Sequence, residues 1–238
     1  MSESNKRNFI VHGSILAIAG ILVRIIGMLY RIPVVNIIGS EGNGIYGAAF
    51  NIYNIMLVLS SYGLPMAVSK LVSARFTKRR YKSAAKVFRC SLMVAVCTGG
   101  IAALLVFFGA SFIENVIYGG GLPGLAIPLR ILAPTIFLVA ILGVIRGFFQ
   151  GQSTMIPTAV SQILEQIVNA IVSIAAGYGM MKAFASSPDV AAYGAAGSTL
   201  GTAMGALTAV LFMGFLYAVY TPTVSYTHLR AHETRRHL

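Results

Sequence analysis

Arg24 and Arg31 are the residues of this chain whose type and placement most demand a chemical role. Arg24 lies in the middle of an apolar stretch, residues 13–38, that is long enough to cross a bilayer, and Arg31 follows seven residues later. An arginine at membrane depth costs at least ~2.5–3.5 kcal/mol on insertion scales, so by default it marks a function. Gly20, Arg24, Gly27 and Arg31 follow a 4-3-4 spacing and share one helix face. A small-residue face with two guanidinium groups describes the wall of a polar cavity. Guanidinium suits phosphate, because it offers bidentate, charge-assisted hydrogen bonds.

A second polar group lies on the stretch 159–181. Gln162, Glu165, Gln166 and Asn169 recur at i, i+3, i+4 and i+7 and form one stripe on a helix otherwise rich in Ile, Val and Ala. Glu165 is the only acid inside any apolar stretch. Two readings stand. In one, the stripe lines a hydrated cavity, where Glu165 pairs with an arginine or takes up a proton. In the other, Glu165 snorkels or pairs with a neighbour near the end of the helix. Asn51, Asn54 and Ser61 share a face of the stretch 46–69, as cavity residues or as interhelical hydrogen-bonding groups. Arg130, near one end of the stretch 126–149, faces the cavity or snorkels to the interface.

The elements that position these residues are membrane helices. Of 238 residues, 57% are hydrophobic and 10% charged, where a soluble domain has about 25% charged. Six spans are expected, at about 13–38, 46–69, 90–113, 126–149, 159–181 and 193–219. The fold class is an all-α integral membrane protein of six transmembrane helices. Eight of the 18 Lys and Arg lie between Lys70 and Arg89, in the loop between the second and third spans. The positive-inside rule makes that loop, 70–89, cytoplasmic, and with it the N-terminal residues 1–12. This distribution argues against a nucleic-acid partner and for attraction to anionic lipid headgroups. Pro33 and Pro134 are expected to kink or unwind their helices. Gly197, Gly201 and Gly205, spaced by four, mark a close helix contact.

No enzyme is expected. There is no G-x-S-x-G, no Walker loop and no H-E-x-x-H. His12 is the only histidine outside the terminal tail, so no metal or other cofactor is expected. Cys90 and Cys97 stand ~10.5 Å apart along one helix, too far for a disulfide.

Between the fourth and fifth spans runs RGFFQGQSTMIPTAVSQILEQIV, from Arg146 to Val168. Gly147 and Gly151 suit a tight turn there, and Pro157 suits the first turn of the next helix with Ser153 or Thr154 as its cap. This sequence resembles the signature of the stage V sporulation protein B-like polysaccharide transporters, within the multidrug/oligosaccharidyl-lipid/polysaccharide exporter superfamily. The region around Arg24–Arg31, then GSEGNGIYGAAFNIYNI and SSYGLPMAVSKLVS, is similar to the same family's first two helices. The resemblance covers about residues 10–220. It implies the N-terminal bundle of a MATE-like flippase fold in a bacterial plasma membrane, with a C-terminal bundle to complete it. It implies translocation of a lipid-linked oligosaccharide or peptidoglycan precursor by alternating access, with Arg24 and Arg31 at the substrate's pyrophosphate. Where the family often has a further arginine, this chain has Asn169. The competing readings are a cation/drug antiporter coupled at Glu165 and a membrane scaffold that does not transport.

The last residues, 221–238, are expected not to belong to the native protein. Val224–Thr234, VSYTHLRAHET, resembles one reading frame of a sequencing-library transposon adapter.

Overall fold

The computed structural model describes the backbone of residues 3–234 and the side chains of residues 13–219. Among the described residues there are six helices and no strand: α1 (Glu3–Ser60), α2 (Leu64–Thr77), α3 (Tyr81–Phe112), α4 (Ala126–Gly151), α5 (Ile156–Ala183) and α6 (Val190–Thr234). A short π-helical turn, Ile113–Ile117, follows α3. Among the described residues five stretches are long and apolar enough to cross a membrane, and the first of them, Gly13–Thr77, has 65 residues.

A straight helix of that length would run to ~100 Å, about three times the hydrocarbon thickness. It is not straight. Gly39 has φ 69° and ψ −175° and interrupts α1. Arg31 donates to Asn43 Oδ1 at 3.4 Å, and its guanidinium lies 4.9 Å from the centre of the Tyr46 ring. Fifteen residues of straight helix would separate Arg31 from Tyr46 by ~22 Å. The two arms of α1 therefore fold back on each other at Gly39. Gly39, in a conformation closed to residues with a Cβ, lies at the start of the gap expected between the first two spans.

The second expected span, 46–69, is broken. Ser61 and Tyr62 both donate to the Leu57 carbonyl, and α2 begins at Leu64 with Pro65 in its first turn. Gly63 and Pro65 end one helix and start the next. The segment read as a basic loop, 70–89, is helical except at 78–80, where Arg79 has φ 54°. The helical assignment continues through Pro33 and Pro134, so the break in α1 comes from Gly39 and not from proline. Gly147 and Gly151 also lie within a helix, α4; the turn falls at 152–155, with the positive φ of 61° on Ser153. Met155 precedes α5 without a side-chain cap, and Pro157 sits in the first turn as expected.

α4 is the axis of the bundle. It is mostly apolar and carries more buried residues than any other helix described, as the central helix of a bundle does. Its first half packs with both arms of α1, with α3 and with the start of α6. Its second half packs with α2, α3 and the later part of α6. Gly143, Gly147 and Gly151 receive α2: a Cβ on Gly151 would meet Ser69 O at 2.7 Å and Val72 Cβ at 2.8 Å. The expected glycine contact of α6 is made with α5. A Cβ on Gly205 would lie 2.6 Å from Glu165 O, and one on Gly201 would lie 2.5 Å from Asn169 O. The backbone of α6 continues helical to Thr234, while the side chains of the tail 221–238 lie outside the described residues.

Candidate substrate-facing site

The N-terminal arm of α1 divides into three faces. Val34 and Ile38 are buried in the bundle, while Ile18, Ile21, Ile25, Met28 and Ile32 are exposed on the opposite, lipid-compatible side. At 100° per residue, Arg24 and Arg31 fall within ~20° of each other, beside the buried seam. Arg24 is exposed, with no ion pair or hydrogen bond among the described residues. Arg31 is exposed too, but its guanidinium is engaged by Asn43 and the Tyr46 face.

α5 meets this arm along its polar stripe. A Cβ on Gly27 would lie 3.3 Å from Gln166 Nε2, so the missing side chain at Gly27 makes room for Gln166. One turn on, Asn169 Nδ2 donates to the Tyr30 hydroxyl at 3.3 Å. Asn169 Oδ1 accepts from Ser173 Oγ at 2.9 Å and from Thr202 Oγ1 at 3.5 Å. Asn169 is therefore buried where α1, α5 and α6 cross, tied into the helix contacts. Gln162 is half-buried on the same stripe.

Glu165 has a partner that spacing alone had not named. Arg146 of α4 donates from Nη2 to Glu165 Oε2 at 2.7 Å, and from Nε to Ser161 Oγ at 3.0 Å. Ser161 in turn donates to the Thr158 carbonyl at 2.8 Å. The arginine that pairs with Glu165 is thus Arg146, and not Arg24 or Arg31. A signal was available: α4 and α5 are joined by a four-residue turn, so positions a few residues either side of it lie within an arginine's reach. Tyr30, Ser173 and Thr202 were also missed, because their pairing depends on how three helices cross.

The remaining expected residues are dispersed. Asn51 and Asn54 are exposed on the C-terminal arm of α1. Ser61 does not share their environment; it is buried in the turn after Ser60, with the two hydroxyls 3.0 Å apart. Tyr46 and Tyr53 are buried packing residues. Arg130, exposed at the start of α4, donates to Ser111 Oγ of α3 at 2.9 Å. Beside it, the Glu114 carboxylate accepts from Gly124 N at 3.0 Å and Ala126 N at 2.8 Å, capping α4. No set of three metal-ligating side chains occurs among the described residues.

Residues 10–231 match the family described as polysaccharide biosynthesis protein. The chain is 34% identical over 176 residues to the Lipid II flippase MurJ of Bacillus subtilis (strain 168), covering 71% of this chain and 32% of that protein. It is 29% identical over 221 residues to Stage V sporulation protein B of the same organism, covering 92% of this chain and 40% of that protein. A third relative there, Uncharacterized membrane protein YabM, is 29% identical over 213 residues, covering 89% of this chain and 38% of that protein. The chain thus spans between about a third and two-fifths of the length of these relatives. No solved structure matches it. With five membrane-length apolar helices and a family match over nearly all its length, the chain is a multi-pass membrane protein of the polysaccharide biosynthesis protein family.

Proposed function

We propose that the chain is the N-terminal bundle of a flippase for a lipid-linked oligosaccharide or peptidoglycan precursor. In this reading it crosses the bacterial plasma membrane six times, with its N-terminus and residues 70–89 in the cytoplasm. α1 supplies two crossings, one per arm, and the fold-back at Gly39 supports that count. The substrate is the anionic pyrophosphate-linked saccharide, and a C-terminal bundle closes the cavity around it. No cofactor and no catalytic step is invoked.

The observation that carries the reading is electrostatic. Glu165 is neutralised by Arg146, whereas among the described residues Arg24 has no carboxylate partner and Arg31 is held by a neutral amide and a ring. The face beside the α1–α5 seam therefore keeps an excess of positive charge at membrane depth, which favours an anion. Asn51 and Asn54, exposed on the other arm, extend the polar lining. The same pairing weighs against a cation antiporter coupled at Glu165, since that carboxylate already has its cation.

The test uses the product of the complete gene. Arg24→Ala is expected to slow translocation of an undecaprenyl-pyrophosphate-linked saccharide by roughly 10–100-fold, the worth of one charge-assisted contact of about 1.5–3 kcal/mol. Arg24→Lys, which keeps the charge without the fork, is expected to fall between. Wild-type transport by Arg24→Ala at equal membrane abundance refutes the anion-cavity reading. Drug or cation efflux that depends on Glu165 supports the antiporter instead.

A further inference from the structure

Residues 70–89 carry eight basic side chains and no acid. They are not spread along a free loop. α2 is anchored by Val68 and Val72 against the glycines of α4, and only three residues, 78–80, separate the end of α2 from the start of α3. Between the two helices lies a groove of about 320 Å³, lined by Leu71 and Arg75 from α2 and by Ser83, Lys86, Val87 and Cys90 from α3. One cation comes from each helix. Among the described residues neither has an ion pair, and Arg75 makes only a long hydrogen bond, 3.4 Å, to the Leu71 carbonyl of its own helix. Arg75 and Ser83 lie nearest the 78–80 turn, while Leu71, Val87 and Cys90 lie farther from it. Beyond Arg89, α3 has no charged residue to its end at Phe112. The groove therefore straddles the boundary between charged and apolar surface, where lipid phosphates sit.

We propose that this groove is a binding site for an anionic phospholipid. Arg75 and Lys86 hold the headgroup phosphate from two sides, and the Ser83 hydroxyl donates to it. One acyl chain runs along Leu71 and Val87 toward the apolar part of α3. The site is separate from the Arg24 face and rests on membrane placement alone, so it stands or falls independently of the flippase reading.

The full-length protein in neutral detergent is titrated with phosphatidylglycerol, with phosphatidylcholine and with inorganic phosphate, and bound lipid is counted by native mass spectrometry. Phosphatidylglycerol is expected to bind at concentrations where phosphatidylcholine does not. Arg75→Gln/Lys86→Gln is expected to weaken that binding at least tenfold, while Arg75→Lys/Lys86→Arg restores it. Lys78→Gln/Lys82→Gln removes the same charge outside the groove lining and is expected to have a small effect. Cys90 reports location: phosphatidylglycerol is expected to slow its alkylation, read peptide by peptide, in the wild type but not in the groove variant. Equal losses in the two double glutamine variants would overturn the proposal in favour of diffuse charge attraction. Unprotected Cys90 would also overturn it. Inorganic phosphate that displaces the lipid and protects Cys90 equally well would replace the lipid site with a simple anion site.

Discussion

The Arg146–Glu165 pair permits a quantitative prediction. The side chains are 16% and 25% exposed, and their charged atoms are 2.7 Å apart. Two unit charges about 4 Å apart attract by ~4 kcal/mol at an effective dielectric constant of 20, before desolvation is subtracted. Breaking a fully buried pair by removing one partner costs ~3–5 kcal/mol, because the other charge is stranded. The residual exposure here reduces that to about 1–3 kcal/mol. Glu165→Gln is expected to cost about 2 kcal/mol, since Arg146 keeps only Ser161 as an anchor. Arg146→Gln is expected to cost a similar amount. The double variant strands no charge, so its cost should fall short of the sum by about 1–2 kcal/mol. The assay is reversible unfolding in mixed micelles over the four-member cycle, with transport measured on the same proteins. A coupling below ~0.3 kcal/mol would refute the view that the pair is structural. So would a double variant that regains stability yet transports nothing, because Glu165 would then be needed as a titrating group.

Four further outcomes follow from packing, backbone conformation and local hydrogen bonds. Gly201→Ala drives a methyl group into the Asn169 carbonyl and the Ser173 backbone, and should cost ~1–3 kcal/mol by the same unfolding assay. Gly20→Ala, with no atom within 4 Å of the added carbon, should be neutral or stabilising by up to about 1 kcal/mol. Gly39→Ala forces φ 69° and ψ −175° on a residue with a Cβ, at ~1–3 kcal/mol, and should lower the yield of folded protein in the membrane. Glu114→Ala removes both hydrogen bonds at the start of α4 and should cost ~0.5–2 kcal/mol, seen as faster amide exchange at residues 124–126.

Much of the architecture was legible because bilayer physics acts directly on composition. A hydrocarbon slab demands about 20 apolar residues per crossing, and the five apolar stretches among the described residues overlap the expected spans, the first stretch taking in two of them. The glycines of α6 read as a contact surface, and they are one. The broken helix at 61–63 was not legible, since apolarity continues across it and hides a change in direction. Gly147 and Gly151 were misread as turn residues. A glycine permits a turn and a close helix contact equally, and only the presence of α2 against α4 distinguishes the two.

The sequence by itself determined that this chain lives in a membrane, how its charges are distributed along it, and that Arg24, Arg31 and Glu165 needed explaining. Those follow from one-dimensional quantities: hydropathy, spacing and sign. Only the tertiary structure decided which charges cancel. Glu165 went to Arg146 because a short turn lays α4 beside α5, and Asn169 went to Tyr30, Ser173 and Thr202 because three helices cross there. Partner choice depends on distances of a few ångströms between residues far apart in the chain. Arg24, with no carboxylate partner among the described residues, is the cation that the proposed anionic substrate would meet.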